Sequence, residues 1–192
     1  MTPSVLLVDD DEVDRLAARR MLKGFPLREA AHATAAEALL REAPVDVVVL
    51  DFFLPPDTGP EVLTRLRRIQ PGLPCVFLSG QGSEEVAVEA MKAGAEDYLP
   101  KASVGEPRRL AQLIRRTVET AWLRAEAQRT QARLAMALEA AGAGTWSTAP
   151  DAVTGDARFG ALFGLPAGER WPLADWFATL ARGDEARVRE AL

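Results

Sequence analysis

The stretch Val45–Gly59, VDVVVLDFFLPPDTG, constrains the fold of this chain most. Val47, Val48, Val49 and Leu50 form an apolar run too short for a membrane span and too rich in β-branched side chains to favour a helix. Such a run reads as a strand buried on both faces, as in parallel sheets. Asp51 ends it, and a Leu-Pro-Pro turn and a glycine follow, so the strand delivers a carboxylate at its C-terminal end. In open parallel α/β sheets the ligand crevice lies outside those ends.

Other short apolar runs repeat the pattern. Ser4–Val8 (SVLLV) leads into Asp9, Asp10, Asp11 and Glu12; Pro74–Ser79 (PCVFLS) ends on a hydroxyl; Asp97–Pro100 (DYLP) is followed by Lys101. A weaker strand is expected at Leu27–Ala31. Helices are expected between them. The first carries Val13, Leu16, Ala17, Met21 and Leu22 on one face and stops at Gly24. The second opens on a capping box of Thr34 and Glu37 and closes at Pro44, with His32 before it in a bland turn or surface role. The third has Pro60 in its first turn after Gly59. The fourth starts near Ser83 after a Gly80-Gln81-Gly82 loop, faces inward with Val86, Val88, Ala90 and Met91, and stops at Gly94. Strands alternating with helices imply a right-handed doubly wound parallel sheet.

Residues 107–141 lack glycine after Pro107 and are rich in Ala, Arg, Leu and Gln, which predicts one long helix ending near Gly142. Its seam of Leu110, Leu113, Thr117, Thr120, Ala127, Leu134, Leu138 and Ala141 is interrupted by the polar Arg124 and Gln131. Seven arginines lie between Arg108 and Arg133, with Trp122 the single aromatic among them, and read as a solvated helix face rather than a nucleic-acid surface.

The net charge is −5, and the acid excess is confined to the first 103 residues, with 17 acids against 11 bases. That balance disfavours nucleic acid as a partner and suits a cation site. One cysteine, Cys75, precludes an internal disulfide and fits a reducing compartment. No signal-like N-terminus and no long apolar stretch is present, so a cytoplasmic location away from the membrane is expected.

If the sheet is parallel, Asp9, Asp10, Asp51, Ser79 and Lys101 converge on one crevice. Clustered carboxylates on short loops are hard oxygen ligands suited to Mg²⁺. A carboxylate beside a cation, an ammonium and a hydroxyl is what phosphoryl transfer to an aspartate requires. In that chemistry Asp51 is the nucleophile, Mg²⁺ and Lys101 neutralise the equatorial oxygens, and Ser79 hydrogen-bonds one of them.

With VLLVDDDE, VVVLDFFLPPDTG, VFLSGQG and AGAEDYLPK in order, residues 1 to about 120 resemble a response regulator receiver (CheY-like) domain. The resemblance implies a flavodoxin-like (βα)5 fold with strand order 2-1-3-4-5. It implies Mg²⁺ bound by Asp9, Asp10, Asp51 and the Phe53 backbone carbonyl, and phosphorylation of Asp51 by a histidine kinase or phosphotransfer protein. Ser79 and Tyr98 would then be switch residues. Two positions depart from the pattern. Ala102 follows Lys101 where proline is usual, so the cis bond is lost or becomes a costly non-proline one; Gly80 follows Ser79 where alanine is common, which loosens the switch loop.

The segment from RLAMALEAAGAGTW through FGALFGLPAGE to GDEARVREAL resembles the first part of an α+β PAS sensor domain, short of the later strands. It has no cysteine for a flavin adduct and no histidine for haem, and Trp146, Trp171 and Trp176 read as packing residues. The expected organisation is a receiver at 1–120, a helical linker at 121–142 continuous with the last receiver helix, and a partial PAS domain at 143–192, the chain being part of a longer protein. The expected function is two-component signalling, with a homodimer formed through the last receiver helix and linker. The receiver catalyses its own phosphorylation and dephosphorylation, and no separate catalytic output domain is read in the chain. Two alternatives stay open: the regulatory front of a sensor histidine kinase or diguanylate cyclase, and a constitutive dimerisation module whose pocket no longer cycles.

Overall fold

The computed structural model describes residues 2–80, 84–102, 108–166, 168–180 and 184–191. The expected loop at Gln81 and Gly82, the helix start at Ser83 and the boundary at Pro107 lie outside them. Two compact units are present, Met1–Ala125 and Glu126–Leu192.

The first unit is built on a parallel sheet of β1 (Val5–Val8), β2 (Leu27–Ala30), β3 (Val47–Asp51), β6 (Cys75–Ser79) and β7 (Asp97–Pro100), in the order β2-β1-β3-β6-β7. Between β3 and β6 a small hairpin, β4 (Phe53–Leu54) and β5 (Asp57–Thr58), turns through the cis Pro55–Pro56 peptide. Counting only the main sheet, this is the expected 2-1-3-4-5 arrangement. The side chains of β1, β3 and β6 alternate between two buried layers. Leu6, Val8, Val48, Leu50, Cys75 and Phe77 face one layer, with Ala36 and Leu40 of α2 (Ala33–Glu42), Val62, Leu63 and Leu66 of α3 (Gly59–Ile69) and Val86 and Ala90 of α4 (Glu84–Lys92). Val5, Leu7, Val47, Val49, Val76 and Leu78 face the other, with Ala18 of α1 (Glu12–Met21) and Leu110 and Ile114 of α5 (Arg109–Ala140). Burial on both faces is why these strands are continuous apolar runs, and each fully buried Leu or Phe contributes roughly 1.5–3 kcal/mol.

Several local expectations need correction. The buried residues of α1 are Ala18, with Leu22 just past its end, while Val13 and Leu16 are 73% and 40% exposed. On α4, Val86 and Ala90 are buried but Val88 and Met91 are about half exposed. The α2 cap is not Thr34 with Glu37. His32 is the N-cap and accepts the Ala35 N–H on Nδ1, leaving Glu37 to pair with Arg41 and Arg65. The reason lies in the backbone, which is extended at His32 and already helical at Ala33. The capping box lies instead at α3, where the Thr58 N–H and hydroxyl both donate to Glu61. Lys101–Ala102 is not cis.

Cys75 is fully buried, burial pushes its thiol far up, and its backbone N–H donates to the Glu96 carboxylate. Gly59, at the start of α3, is confined by its neighbours. A Cβ there would stand 2.6 Å from the Asp51 carbonyl oxygen and 2.7 Å from Phe77 Cε1.

The second unit contains an antiparallel sheet, β10-β9-β8, of β8 (Trp146–Ala149), β9 (Ala152–Gly155) and β10 (Arg170–Pro172). Val153, Phe159, Trp171, Trp176 and Phe177 form its core, with α6 (Ala157–Leu162) and α7 (Leu173–Ala178); α8 (Asp184–Ala191) follows. Trp171 and Trp176 pack inside as expected, and Trp146, though 49% exposed, packs its ring against Phe159 and Trp176. Asp156 caps α6 and accepts from Phe159 N–H, Thr145 N–H and the Thr145 hydroxyl, each at 2.8 Å. These donors, Phe159 N–H first, hold its carboxyl at about 2. No described helix is long and apolar enough to cross a membrane.

Candidate functional site

The parallel order places the ends of β1, β3, β6 and β7 side by side, and with them Asp9, Asp51, Ser79 and Lys101. Asp9, Asp51 and Ser79 are 1%, 5% and 0% exposed. One carboxylate oxygen each from Asp9, Asp10 and Asp51 lies within 4.8 Å of the others, Asp10 being the exposed member. Lys101 Nζ sits among three carboxylates, 2.6 Å from Asp51 Oδ2, 2.7 Å from Asp14 Oδ2 and 2.8 Å from Asp9 Oδ2. The first two are aligned hydrogen bonds. Asp9 Oδ2 makes only the ion pair and is left buried without a hydrogen bond.

Local backbone donors fix the carboxylates. Asp9 Oδ1 accepts the Asp11 N–H at 3.0 Å, and Asp51 Oδ1 accepts the Phe53 N–H at 3.2 Å. Asp11 caps α1 by accepting from Val13 and Asp14 N–H, and these donors keep its carboxyl low. Arg15 reaches back so that Nη1 donates to the carbonyls of Asp9 and Asp10, at 2.7 and 2.9 Å.

Burial dominates the electrostatics of the two enclosed acids. It raises the Asp9 carboxyl, with the Asp51 charge adding and Lys101 opposing, and it raises Asp51 against the pull of Lys101. For Lys101 burial acts to lower the ammonium, but Asp14, Asp51 and Asp9 overcome it and hold the charge firmly. A buried carboxylate oxygen without a hydrogen bond, beside two further carboxylates, suits a hard divalent cation such as Mg²⁺. A cation there also relieves the crowding of acids.

Phe53 lies in β4 with its side chain 44% exposed. Tyr98 is partly buried against the core layer shared with Phe77. Sequence reading missed Asp14 and Arg15. Arg15 was signalled only by its place in the first turns after the acidic run, and Asp14 by nothing local, because its partner is 87 residues away.

Comparison with known proteins places the first unit. The family model for the response regulator receiver domain matches residues 5–115. An NtrX-like response regulator of Rickettsia felis is 36% identical over 126 residues, covering 64% of this chain and 26% of that protein. The photosynthetic apparatus regulatory protein RegA of Rhodovulum sulfidophilum is 40% identical over 101 residues, covering 52% of this chain and 55% of RegA. This chain therefore spans about a quarter of the NtrX-like relative and about half of RegA. Among solved structures, NtrX from Brucella abortus superposes with a TM-score of 0.62 at 30% identity, over 68% of this chain and 30% of that one. A CheY-like receiver domain protein of Methanospirillum hungatei gives 0.57 at 25% identity, over 65% of this chain and 99% of its own.

Proposed function

Because this chain belongs to the response regulator receiver family of two-component systems, we propose that Asp51 accepts a phosphoryl group from a phosphohistidine of a partner histidine kinase or phosphotransfer protein. The observation that carries the reading is the Lys101 ammonium 2.6 Å from Asp51 Oδ2, inside a cluster of acids at parallel strand ends. In the transfer an Asp51 carboxylate oxygen forms the new P–O bond as the P–N bond to the donor imidazole breaks. The electron pair of that bond stays on the ring nitrogen, which takes up a proton from solvent. Lys101 moves its contact from the carboxylate to the phosphoryl oxygens, where an ammonium opposes developing charge. Ser79 donates its hydroxyl to one of those oxygens, and with Tyr98 it acts as the switch. Mg²⁺, held by Asp9, Asp10, Asp51 and the Phe53 carbonyl, supplies further charge neutralisation when bound.

The receiver comprises residues 1–120 in this reading, 121–142 form a helical linker, and 143–192 form a PAS-type sensor segment. The antiparallel sheet and aromatic core of the second unit support the last assignment. The switch acts through a homodimer formed along α5. On the linker part of α5, Trp122, Leu123, Leu134 and Met136 are each about 60% exposed or more. An exposed helix of this kind gains most of its stability from packing. Regulation of a downstream kinase, cyclase or transcriptional output is compatible with the same front end. The TcrX protein of Mycobacterium tuberculosis, a transcriptional regulator 36% identical over 118 residues, illustrates one such output.

The test is intact mass and oligomeric state of the wild type and Asp51→Asn, with Mg²⁺ and a small phosphodonor. A phosphoryl gain confined to the wild type, with a shift in assembly, is expected. A wild type that gains no mass overturns the phosphoacceptor reading. A mass gain with unchanged assembly overturns the dimer switch alone.

A further inference from the structure

We propose that Asp14 is a positioning residue of this pocket: it holds the Lys101 ammonium from the α1 side and so sets how readily Asp9 and Asp51 are released to a divalent cation. The inference rests on the reading above, in which the pocket takes such a cation.

Lys101 has three N–H donors and three carboxylates around it. The carboxylates are not equivalent. Asp9 and Asp51 have side chains 1% and 7% exposed and belong to the acid cluster, whereas Asp14 is 41% exposed and lies outside it. Its charge is therefore hydrated and inexpensive to keep. Its place is fixed by the α1 cap, since the Asp14 N–H donates to Asp11 Oδ1 at 3.1 Å.

When Asp9 and Asp51 turn to a cation, Lys101 loses two of its three partners while its side chain is only 15% exposed. A buried ammonium left unpaired is strongly unfavourable. Asp14 is the one of the three that the cation does not claim, so it keeps Lys101 paired throughout. Without Asp14 the ammonium is satisfied only by Asp9 and Asp51, and an incoming cation must compete with it for both. Groups that orient the ligands of a metal without touching it act on affinity in this way.

The experiment is Mg²⁺ titration by isothermal calorimetry on the full 192-residue chain. The wild type is compared with Asp14→Ala, Asp14→Glu and Glu12→Ala, all with folding checked by circular dichroism. Glu12 is an exposed acid of the same first turn and makes no ion pair with Lys101, so it controls for the general field. Asp14→Ala is expected to weaken Mg²⁺ about tenfold. Asp14→Glu should recover most of that loss, and Glu12→Ala should stay within about twofold of wild type. Equal affinity in wild type and Asp14→Ala, or an equal loss in Asp14→Ala and Glu12→Ala, overturns the positioning role. A wild type that binds no Mg²⁺ overturns the underlying cation reading instead, and the two failures are distinct. Should Asp14→Ala fail to fold, Asp14→Glu and Asp14→Asn decide: the positioning role requires glutamate to bind Mg²⁺ more tightly than asparagine, and the reverse order overturns it.

Discussion

Replacing Asp9 with asparagine removes one charge from the pocket and leaves its shape intact. The Oδ1 position can still accept the Asp11 N–H, whereas Oδ2, which pairs with Lys101 at 2.8 Å, becomes an amide nitrogen that cannot. With donor oxygens within 4.8 Å, the Asp9–Asp51 repulsion is roughly 3.5 kcal/mol at an effective dielectric of about 20. The Lys101 ammonium, 2.8 Å from Asp9 Oδ2, offsets this repulsion, though it is shared among three carboxylates. Burial wins, since the Asp9 carboxyl is raised. Asp9→Asn should therefore stabilise the metal-free protein by about 1–2 kcal/mol at pH 7.5. The sign follows from linkage. A native carboxyl raised above its ordinary 3.8 keeps a proton that the unfolded chain has released. Stability of the wild type then falls as pH rises from about 3.8 through the raised value, and the advantage of the variant opens over that window. Mg²⁺ reverses the comparison. At ten times its dissociation constant it adds about 1.4 kcal/mol to the wild type, and the variant forfeits most of this. Native-state hydrogen exchange of the β1 and β3 amides, with and without Mg²⁺, reads the first unit directly. A variant less stable than wild type without metal, or one that keeps the full Mg²⁺ increment, refutes the reasoning.

Gly59→Ala should destabilise the first unit by about 2 kcal/mol or more and weaken Mg²⁺ binding, because the new Cβ meets the Asp51 carbonyl and the Phe77 ring; urea denaturation and calorimetry check both. Leu66→Ala, at a fully buried site on α3, should cost about 2–5 kcal/mol in the same denaturation experiment while leaving Mg²⁺ affinity per folded molecule unchanged. His32→Ala should cost about 0.5–1 kcal/mol and Thr34→Ala less, the reverse of what a Thr34 cap requires. Asp156, held at about 2, stabilises the second unit above its ordinary 3.8, and that contribution is lost as pH falls toward 2; near-ultraviolet circular dichroism of the tryptophans should show the loss, and Asp156→Asn should abolish its pH dependence.

The main sheet was legible because each core strand is an apolar run closed by one polar residue, and in a parallel sheet those polar ends must meet. Asp51 and Lys101 were readable for that reason despite lying 50 residues apart. Helix faces were less so. Val13 and Leu16 carry hydrophobicity at helical spacing, yet the small Ala18 is the residue that α1 seats on the sheet, and side-chain size rather than hydropathy chose it. The α2 cap went to His32 because capping follows the point where the backbone leaves extended geometry, which residue type alone does not specify. Asp14 reads as an ordinary first-turn acid until Lys101 is brought beside it.

Cys75 turns this fold into its own clock. The only thiol of the chain lies fully buried at the first residue of β6, and its low acidity there keeps it from reacting in place. An alkylating reagent can therefore reach it only when the packing over β6 opens. Where the chemistry outruns reclosing, the rate of labelling counts how often the site opens. Comparing that rate with and without phosphodonor reports whether occupying one end of the strands steadies the other.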